Sequence, residues 1–136
     1  MMFLQYVYKF VSDIAGIKDL IPYNTAGTRA FGNWAENHEF CRTSLFVVMP
    51  GDILVWQNGK SNLGHVGAVV DVSTNGGQVI KITTIEGNTS SKDYRNGGQI
   101  AEKEYEYALA ELGSRKAGRW LRCVVSFDKL YELAAK

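Results

Sequence analysis

Three residues in the middle of the chain, His65, Glu86 and Asn88, are of types that carry out acid–base chemistry or orient the group that does. Histidine exchanges a proton near neutral pH, so His65 is the candidate general base. Gly64 and Gly67 flank it and keep the backbone there open to a ligand. Glu86 and Asn88 bring polar groups into a strongly apolar stretch, where a carboxylate or an amide can orient an imidazole.

A β-hairpin is predicted to bring these residues together. Residues 64–72 and 78–86 are rich in β-branched side chains, which favour strands. Between them, Asn75-Gly76-Gly77 is a sequence typical of a hairpin turn. The two segments are therefore expected to form neighbouring antiparallel strands.

The position of the turn predicts which residues face each other. With the turn at 75–77, the numbers of paired residues sum to about 152, and His65 lies opposite Gly87. Glu86 and Asn88 then lie one residue to either side, within reach of the imidazole. Either side chain could hold the ring in one tautomer, as the third member of a catalytic triad does.

The remaining elements are predicted to be helices first and then a meander of strands. Residues 2–15 form an amphipathic helix that ends at Gly16, with apolar residues on one face at Phe3, Val7, Phe10, Val11 and Ile14. A second helix begins at Thr25 or Thr28 and runs to about Asn37. Further strands are expected at 52–57 and 119–127, with one edge strand within 88–118, and a short helix at 128–135. This order indicates an α+β fold with an antiparallel sheet.

Composition excludes several classes of protein. Fifteen Lys and Arg balance fourteen Asp and Glu, so the net charge of +1 argues against non-specific nucleic-acid binding. The opening segment is too short and too polar to span a membrane, and Gln5, Lys9 and Asp13 interrupt it where a signal peptide would be apolar. Carboxylates at calcium-loop spacing are absent from the sequence, so neither a metal nor a cofactor is predicted. The oligomeric state is left open.

The two cysteines, Cys41 and Cys123, lack the C-x-x-C spacing of zinc and redox motifs. Two free thiols are the preferred interpretation, and one disulfide between them stays open. A nucleophilic thiolate gains from a helix N-terminus, whereas the residues after Cys41 are β-branched and broken by Pro50. Cys123 lies within a predicted strand. Neither cysteine is therefore the expected nucleophile.

Three segments in the same order resemble a known family, and they are PGDILVW at 50–56, GHVGAVV at 64–70 and TTIEGNTS at 83–90. This pattern is similar to the CHAP domain, a cysteine- and histidine-dependent amidohydrolase/peptidase of bacterial and phage cell-wall hydrolases. Weaker similarity extends to Asn33-Trp34-Ala35 and to the final strand. The resemblance implies a papain-like fold, with N-terminal helices packed on an antiparallel sheet, over one domain at 1–136. It also implies a peptidoglycan peptide stem as substrate, at a cell wall reached by phage release or by export.

The resemblance assigns roles to three residues, and position in the strand suggests one for a fourth. His65 takes the position of the general base, Glu86 the position that orients it, and Asn88 an auxiliary polar position. Trp56, near the end of its strand, could border a glycan or peptide groove.

The family nucleophile is a cysteine at the start of the first helix, which we expect beside His65. Phe3-Leu4 and Val7-Tyr8-Lys9 match the residues after that cysteine, which places it just before Met1 or at Met1. A thiol is absent from that position, and a methionine thioether cannot become a thiolate. The sequence thus predicts either an N-terminally incomplete hydrolase domain or a non-catalytic module that binds peptidoglycan or a partner protein.

Overall fold

The computed structural model describes residues 2–22, 27–42, 48–58, 64–76, 78–87, 100–106 and 119–136. Within these ranges, three helices pack on a five-stranded antiparallel sheet, so the predicted α+β class is confirmed. In chain order the elements are α1 (Met2–Ala15), α2 (Thr28–Asn37), β1 (Ile53–Asn58), β2 (Gly64–Asn75), β3 (Gln78–Gly87), β4 (Ile100–Glu106), β5 (Arg119–Val125) and α3 (Phe127–Ala134).

The strands lie in the order β4-β3-β2-β1-β5, so β1 to β4 form a meander and β5 returns to pair with β1. β2 extends three residues beyond the predicted end at 72, because Asn75 pairs with Gln78 instead of belonging to the turn. None of the helices in the described ranges is long and apolar enough to cross a membrane.

The sheet buries apolar side chains on both of its faces, because successive residues of a strand point to opposite sides. One face, which we call the helix face, carries Ile53, Val55, Val66, Cys123 and Val125, which pack against residues of all three helices. The other, which we call the opposite face, carries Leu54, Trp56, Val69, Ile82, Leu121 and Val124. This double burial explains why β1 is apolar at consecutive positions.

The first helix buries a different stripe from the one expected. Leu4, Tyr8 and Ser12, spaced four residues apart, face the core. Phe10 and Ile14, which belong to the predicted apolar face, are 60% and 72% exposed. Polar side chains decide the orientation, because Tyr8 donates a hydrogen bond to the Gly51 carbonyl at 2.6 Å and the Ser12 hydroxyl accepts one from the Leu20 amide at 3.0 Å.

The second helix begins at Thr28, and its N-cap residue is Gly27, which offers no side chain to the free backbone amides. The Thr25 start lies outside the described residues. Its middle residue, Gly32, lets the helix approach Arg122 of β5. The Arg122 guanidinium donates to Asn33 and Glu36 of this helix, and so fastens α2 to the helix face.

Asp52, just before β1, is a fully buried carboxylate that joins three segments. It accepts hydrogen bonds from the Arg42 guanidinium, from the Met49 amide at 2.9 Å and from the Phe127 amide at 2.9 Å. The Asp of the PGDILVW segment therefore has a structural role, since a buried charge is tolerated only when it is paired and hydrogen-bonded.

Candidate active site

Neighbouring strands bring His65 and Glu86 into direct contact. His65 lies at the start of β2 and Glu86 near the end of β3, and the imidazole Nε2–H donates to Glu86 Oε1 at 2.5 Å. The carboxylate is only 1% exposed and the imidazole is mostly buried. The two side chains therefore form a hydrogen-bonded acid–base pair within the sheet.

The strand register that achieves this differs by one residue from the predicted one. Two bulges lie between the pair Asn75–Gln78 and the pair Ala68–Ile85. The residue numbers of both pairs sum to 153, so the two bulges shift the register in opposite directions and leave it unchanged. Continued by one residue, this register brings Gly67 opposite Glu86. Had His65 faced Gly87, as we predicted, Glu86 would have pointed to the other side of the sheet, because a one-residue slip exchanges the faces.

Glu86 is held by hydrogen bonds at both oxygens. While Oε1 accepts from His65, Oε2 accepts from the Thr84 hydroxyl at 2.6 Å and from the Tyr105 hydroxyl at 2.6 Å. Burial acts to raise the pKa of Glu86, but the hydrogen bonds from His65, Thr84 and Tyr105 and the charge of His65 outweigh it and lower the pKa to about 2.

The ionised carboxylate fixes the tautomer of the imidazole. A carboxylate can only accept hydrogen bonds, so the ring nitrogen that faces Glu86, Nε2, must carry the proton. In neutral His65 the other nitrogen, Nδ1, is then the one with a free lone pair. Nδ1 is thus the atom of this site that can take a proton from a nucleophile.

The two glycines that flank His65 are required by close contacts. A Cβ on Gly67 would lie 2.9 Å from Glu86 Cγ, so the absence of a side chain leaves the space that the carboxylate occupies. A Cβ on Gly64 would lie 2.4 Å from the Trp56 carbonyl oxygen and 2.8 Å from Thr28 Cγ2. The Gly-His-Val-Gly pattern thus has a packing reason at each glycine.

Trp56 pairs with His65 across β1 and β2, and the centres of their rings are 5.8 Å apart. The Trp56 ring also contacts Tyr105, with a ring separation of 5.0 Å. Trp56 is only 7% exposed and belongs to the apolar cluster of the opposite face. Contact of Trp56 with a substrate stays a prediction, as does the auxiliary role of Asn88, which lies outside the described residues.

Sequence reasoning missed Thr84 and Tyr105. Thr84 could have been found, because it precedes Glu86 by two residues on the same strand and therefore shares its face. Tyr105 gave no such signal. It lies on the edge strand β4 opposite Ile82, in a part of the chain that was predicted only as a long connection with one strand.

The described thiols lie away from this pair. Cys123 is buried on the helix face, and Cys41 is partly buried against the same cluster, whereas His65 and Glu86 lie on the opposite face. Both thiols are free, and they contact each other. The hydrogen bond from the Cys123 thiol lowers the pKa of Cys41, while the same contact and then burial raise the pKa of Cys123.

The first helix contacts β2 and β3, the strands that carry the pair. Its buried residues Leu4 and Tyr8 nevertheless pack on the helix face, with Val66, and so on the other side of the sheet from His65. The expectation that the start of this helix lies beside the imidazole stays a prediction. Position 1 itself lies outside the described residues.

A comparison with protein families agrees with the geometry. The model of the CHAP domain matches residues 4–88, a segment that runs from α1 to the end of β3 and contains both His65 and Glu86. No curated protein and no solved structure matches the chain. The match supports action on the cell wall and gives no support for a phage origin. Since it spans more than half of the 136 residues, the protein belongs to the CHAP domain family, cysteine-dependent amidohydrolases that act on peptidoglycan.

Proposed function

We propose that residues 1–136 form one domain of a cysteine-type peptidoglycan amidase or endopeptidase, in which His65 is the general base and Glu86 orients it. The observation that carries the proposal is the hydrogen bond from His65 Nε2 to Glu86 Oε1, made by a carboxylate with a pKa of about 2. An ionised, buried carboxylate beside an imidazole both sets its tautomer and stabilises the imidazolium that forms during catalysis.

The reaction follows from this arrangement together with a thiol. His65 Nδ1 accepts the proton of a cysteine thiol, and the sulfur attacks the carbonyl carbon of an amide bond. The imidazolium then protonates the leaving amine as the carbon–nitrogen bond breaks. Water hydrolyses the thioester with Nδ1 again as the base, while backbone amides at the start of the first helix stabilise the oxyanion.

The proposal requires a thiol that neither Cys41 nor Cys123 supplies, because both belong to the helix face of the sheet. We place the nucleophile just before Met1, at the start of the opening helix, as the resemblance implies. An added Trp-Cys before Met1 should therefore produce hydrolysis of purified bacterial cell walls, measured as a fall in turbidity.

Three matched variants test this assignment. A Trp-Ser extension should be inactive, and so should the Trp-Cys extension that carries His65→Ala. Mass spectrometry of the released fragments then distinguishes an amidase, which frees the peptide from the sugar, from an endopeptidase, which cuts within the stem. If the Trp-Cys protein is inert while the unextended chain is active and loses activity on Cys41→Ser, the site is wrongly assigned.

A second candidate function, a non-catalytic module that binds peptidoglycan, is favoured by a specific observation. Cys41 and Cys123 both belong to the helix face of the sheet, whereas His65 lies on the opposite face, so neither thiol reaches the imidazole. Sedimentation with insoluble peptidoglycan tests it. If the unextended chain binds peptidoglycan and the Trp-Cys extended chain does not hydrolyse it, the binding function holds and the enzymatic one fails.

A further inference from the structure

The Tyr105 side chain connects the edge of the sheet to the centre of the site. It belongs to β4, outside the segment 4–88 that matches the family, and its hydroxyl donates to Glu86 Oε2 at 2.6 Å. Its ring packs against Trp56, which in turn packs against His65. Tyr105 thus contacts the carboxylate through its hydroxyl and a neighbour of the imidazole through its ring.

We propose that Tyr105 is a positioning residue that fixes the plane of the Glu86 carboxylate and thereby the orientation of His65. The catalytic meaning of this inference rests on the proposed function, but the contact itself does not. A carboxylate is planar, so the direction of its second oxygen determines where the first one points. Oε2 receives donors from two strands, Thr84 of β3 and Tyr105 of β4, and Oε1 is thereby directed at Nε2.

Thr84 cannot fix the carboxylate alone, because it precedes Glu86 by two residues on the same strand and approaches it from one side. The donor from β4 supplies the second direction. Gly67 leaves the space on β2 in which Glu86 sits, since a Cβ there would lie 3.2 Å from Oε2. Without the Tyr105 hydroxyl, the carboxylate would lose one of its two partners at Oε2 and gain freedom to rotate.

The substitution Tyr105→Phe tests the inference, because it removes the hydroxyl and keeps the ring against Trp56. Hydrogen bonds to a charged group favour its charged form, so we expect the pKa of Glu86 to rise from about 2 by roughly one unit. The measurement is a ¹³C titration of the Glu86 carboxyl, with circular dichroism at each pH to confirm the fold. The ¹⁵N shifts of His65 should also move towards a mixture of tautomers.

Tyr131→Phe is the matched control, since Tyr131 is an exposed tyrosine on α3 and loses the same hydroxyl. It should leave the Glu86 titration and the His65 shifts unchanged. A residue with a merely structural role would lower stability without moving either signal. Unchanged Glu86 and His65 signals in folded Tyr105→Phe would therefore overturn the inference.

The Trp-Cys extended protein adds a kinetic measurement. There Tyr105→Phe should lower kcat about tenfold with little change in KM, because it misorients the base and leaves substrate contacts alone. If the extended protein does not hydrolyse cell walls, the proposed function fails, but the titration of Glu86 still decides the role of Tyr105. The two failures are thus distinguishable.

Discussion

The Glu86 side chain fills the space that a side chain at Gly67 on the neighbouring strand would occupy. Glycine at residue 67 leaves this space to the carboxylate. A Cβ at residue 67 would lie 2.9 Å from Glu86 Cγ and 3.3 Å from its carboxyl carbon. The second glycine of the Gly-His-Val-Gly pattern is therefore needed for the partner of His65. Its position two residues after His65 places it on the same face of β2.

Replacing Gly67 by alanine should disturb the site more than the fold. We expect a loss of about 1–3 kcal/mol in the free energy of unfolding, as for an overpacked core, and a loss of the single Nε2–H tautomer of His65. Urea denaturation and ¹⁵N spectra of His65 measure the two effects. Gly27→Ala is the control, since nothing lies within 4 Å of a Cβ there, and should leave the spectrum unchanged. A native His65 spectrum in Gly67→Ala would contradict the packing argument.

Acid should remove the stabilisation that Glu86 provides. Its pKa falls from an ordinary 4.5 to about 2 in the folded chain, so the unfolded state binds the proton first. The stabilisation is therefore complete above pH 4.5 and is lost as the pH falls through about 2. At about 1.4 kcal/mol per pKa unit, it amounts to about 3–4 kcal/mol for this buried group.

Comparison with Glu86→Gln isolates the stabilisation that the ionised Glu86 carboxylate provides. The difference in the free energy of unfolding between the native chain and Glu86→Gln should shrink as the pH falls from 4.5 towards 2, measured by urea denaturation at each pH. Glu104→Gln, at an exposed carboxylate paired with Lys81 at 3.5 Å, should change stability by less than about 1 kcal/mol throughout. A difference for Glu86→Gln that is independent of pH would show that its carboxylate is not stabilised by folding.

Asp52 offers a second test of a buried carboxylate. Its control is the exposed Asp128, because both carboxylates pair with Arg42. Asp52→Asn removes the buried charged partner of the mostly buried Arg42 guanidinium, and we expect a loss of about 3–5 kcal/mol. Asp128→Asn removes an exposed carboxylate 3.9 Å from the same guanidinium and should cost less than about 1 kcal/mol. Equal losses in thermal denaturation would mean that burial does not distinguish the two pairs.

The element order and the closeness of His65 and Glu86 on neighbouring strands could be predicted from local patterns, because β-branched runs and an Asn-Gly-Gly turn are short-range signals. The register could not be predicted, because it depends on whether Asn75 belongs to the turn or to the strand. Which side of α1 is buried could not be predicted from the sequence either. Both sides of this helix are apolar, and the choice depends on hydrogen bonds of Tyr8 and Ser12 to distant backbone groups. Tyr105 was missed because it lies on the edge strand β4, whose register with β3 the sequence between 88 and 118 did not predict.

The two thiols should differ strongly in reactivity. Cys41 is partly exposed and its pKa is lowered, whereas Cys123 is buried and its pKa is raised. Because alkylation requires an accessible thiolate, iodoacetamide should modify Cys41 at least tenfold faster, measured by mass spectrometry of tryptic peptides. In Cys41→Ser, Cys123 should stay unmodified in the folded chain. Equal rates at both cysteines would contradict the burial of Cys123.

Gly32 stands in the interior of α2, where alanine would normally stabilise a helix by about 1 kcal/mol. Here the opposite is expected, because a Cβ would lie 2.7 Å from Arg122 Nη1 and 3.0 Å from Cζ. The guanidinium cannot simply move away, since it donates to Gln57 at 3.2 Å and to Asn33 at 2.6 Å and pairs with Glu36. Gly32→Ala should therefore lower the free energy of unfolding by about 1–2 kcal/mol.

A double-mutant cycle shows whether Arg122 is the cause. In an Arg122→Ala background the obstructing guanidinium is gone, so Gly32→Ala should become stabilising by up to about 1 kcal/mol, the ordinary helix preference. Urea denaturation of the four proteins gives both effects from the same measurement. If Gly32→Ala costs the same free energy with and without Arg122, the close approach of α2 to β5 is not what requires a glycine there. The reversal of sign is expected because the two residues are in contact, and contacting residues are the ones whose effects do not add.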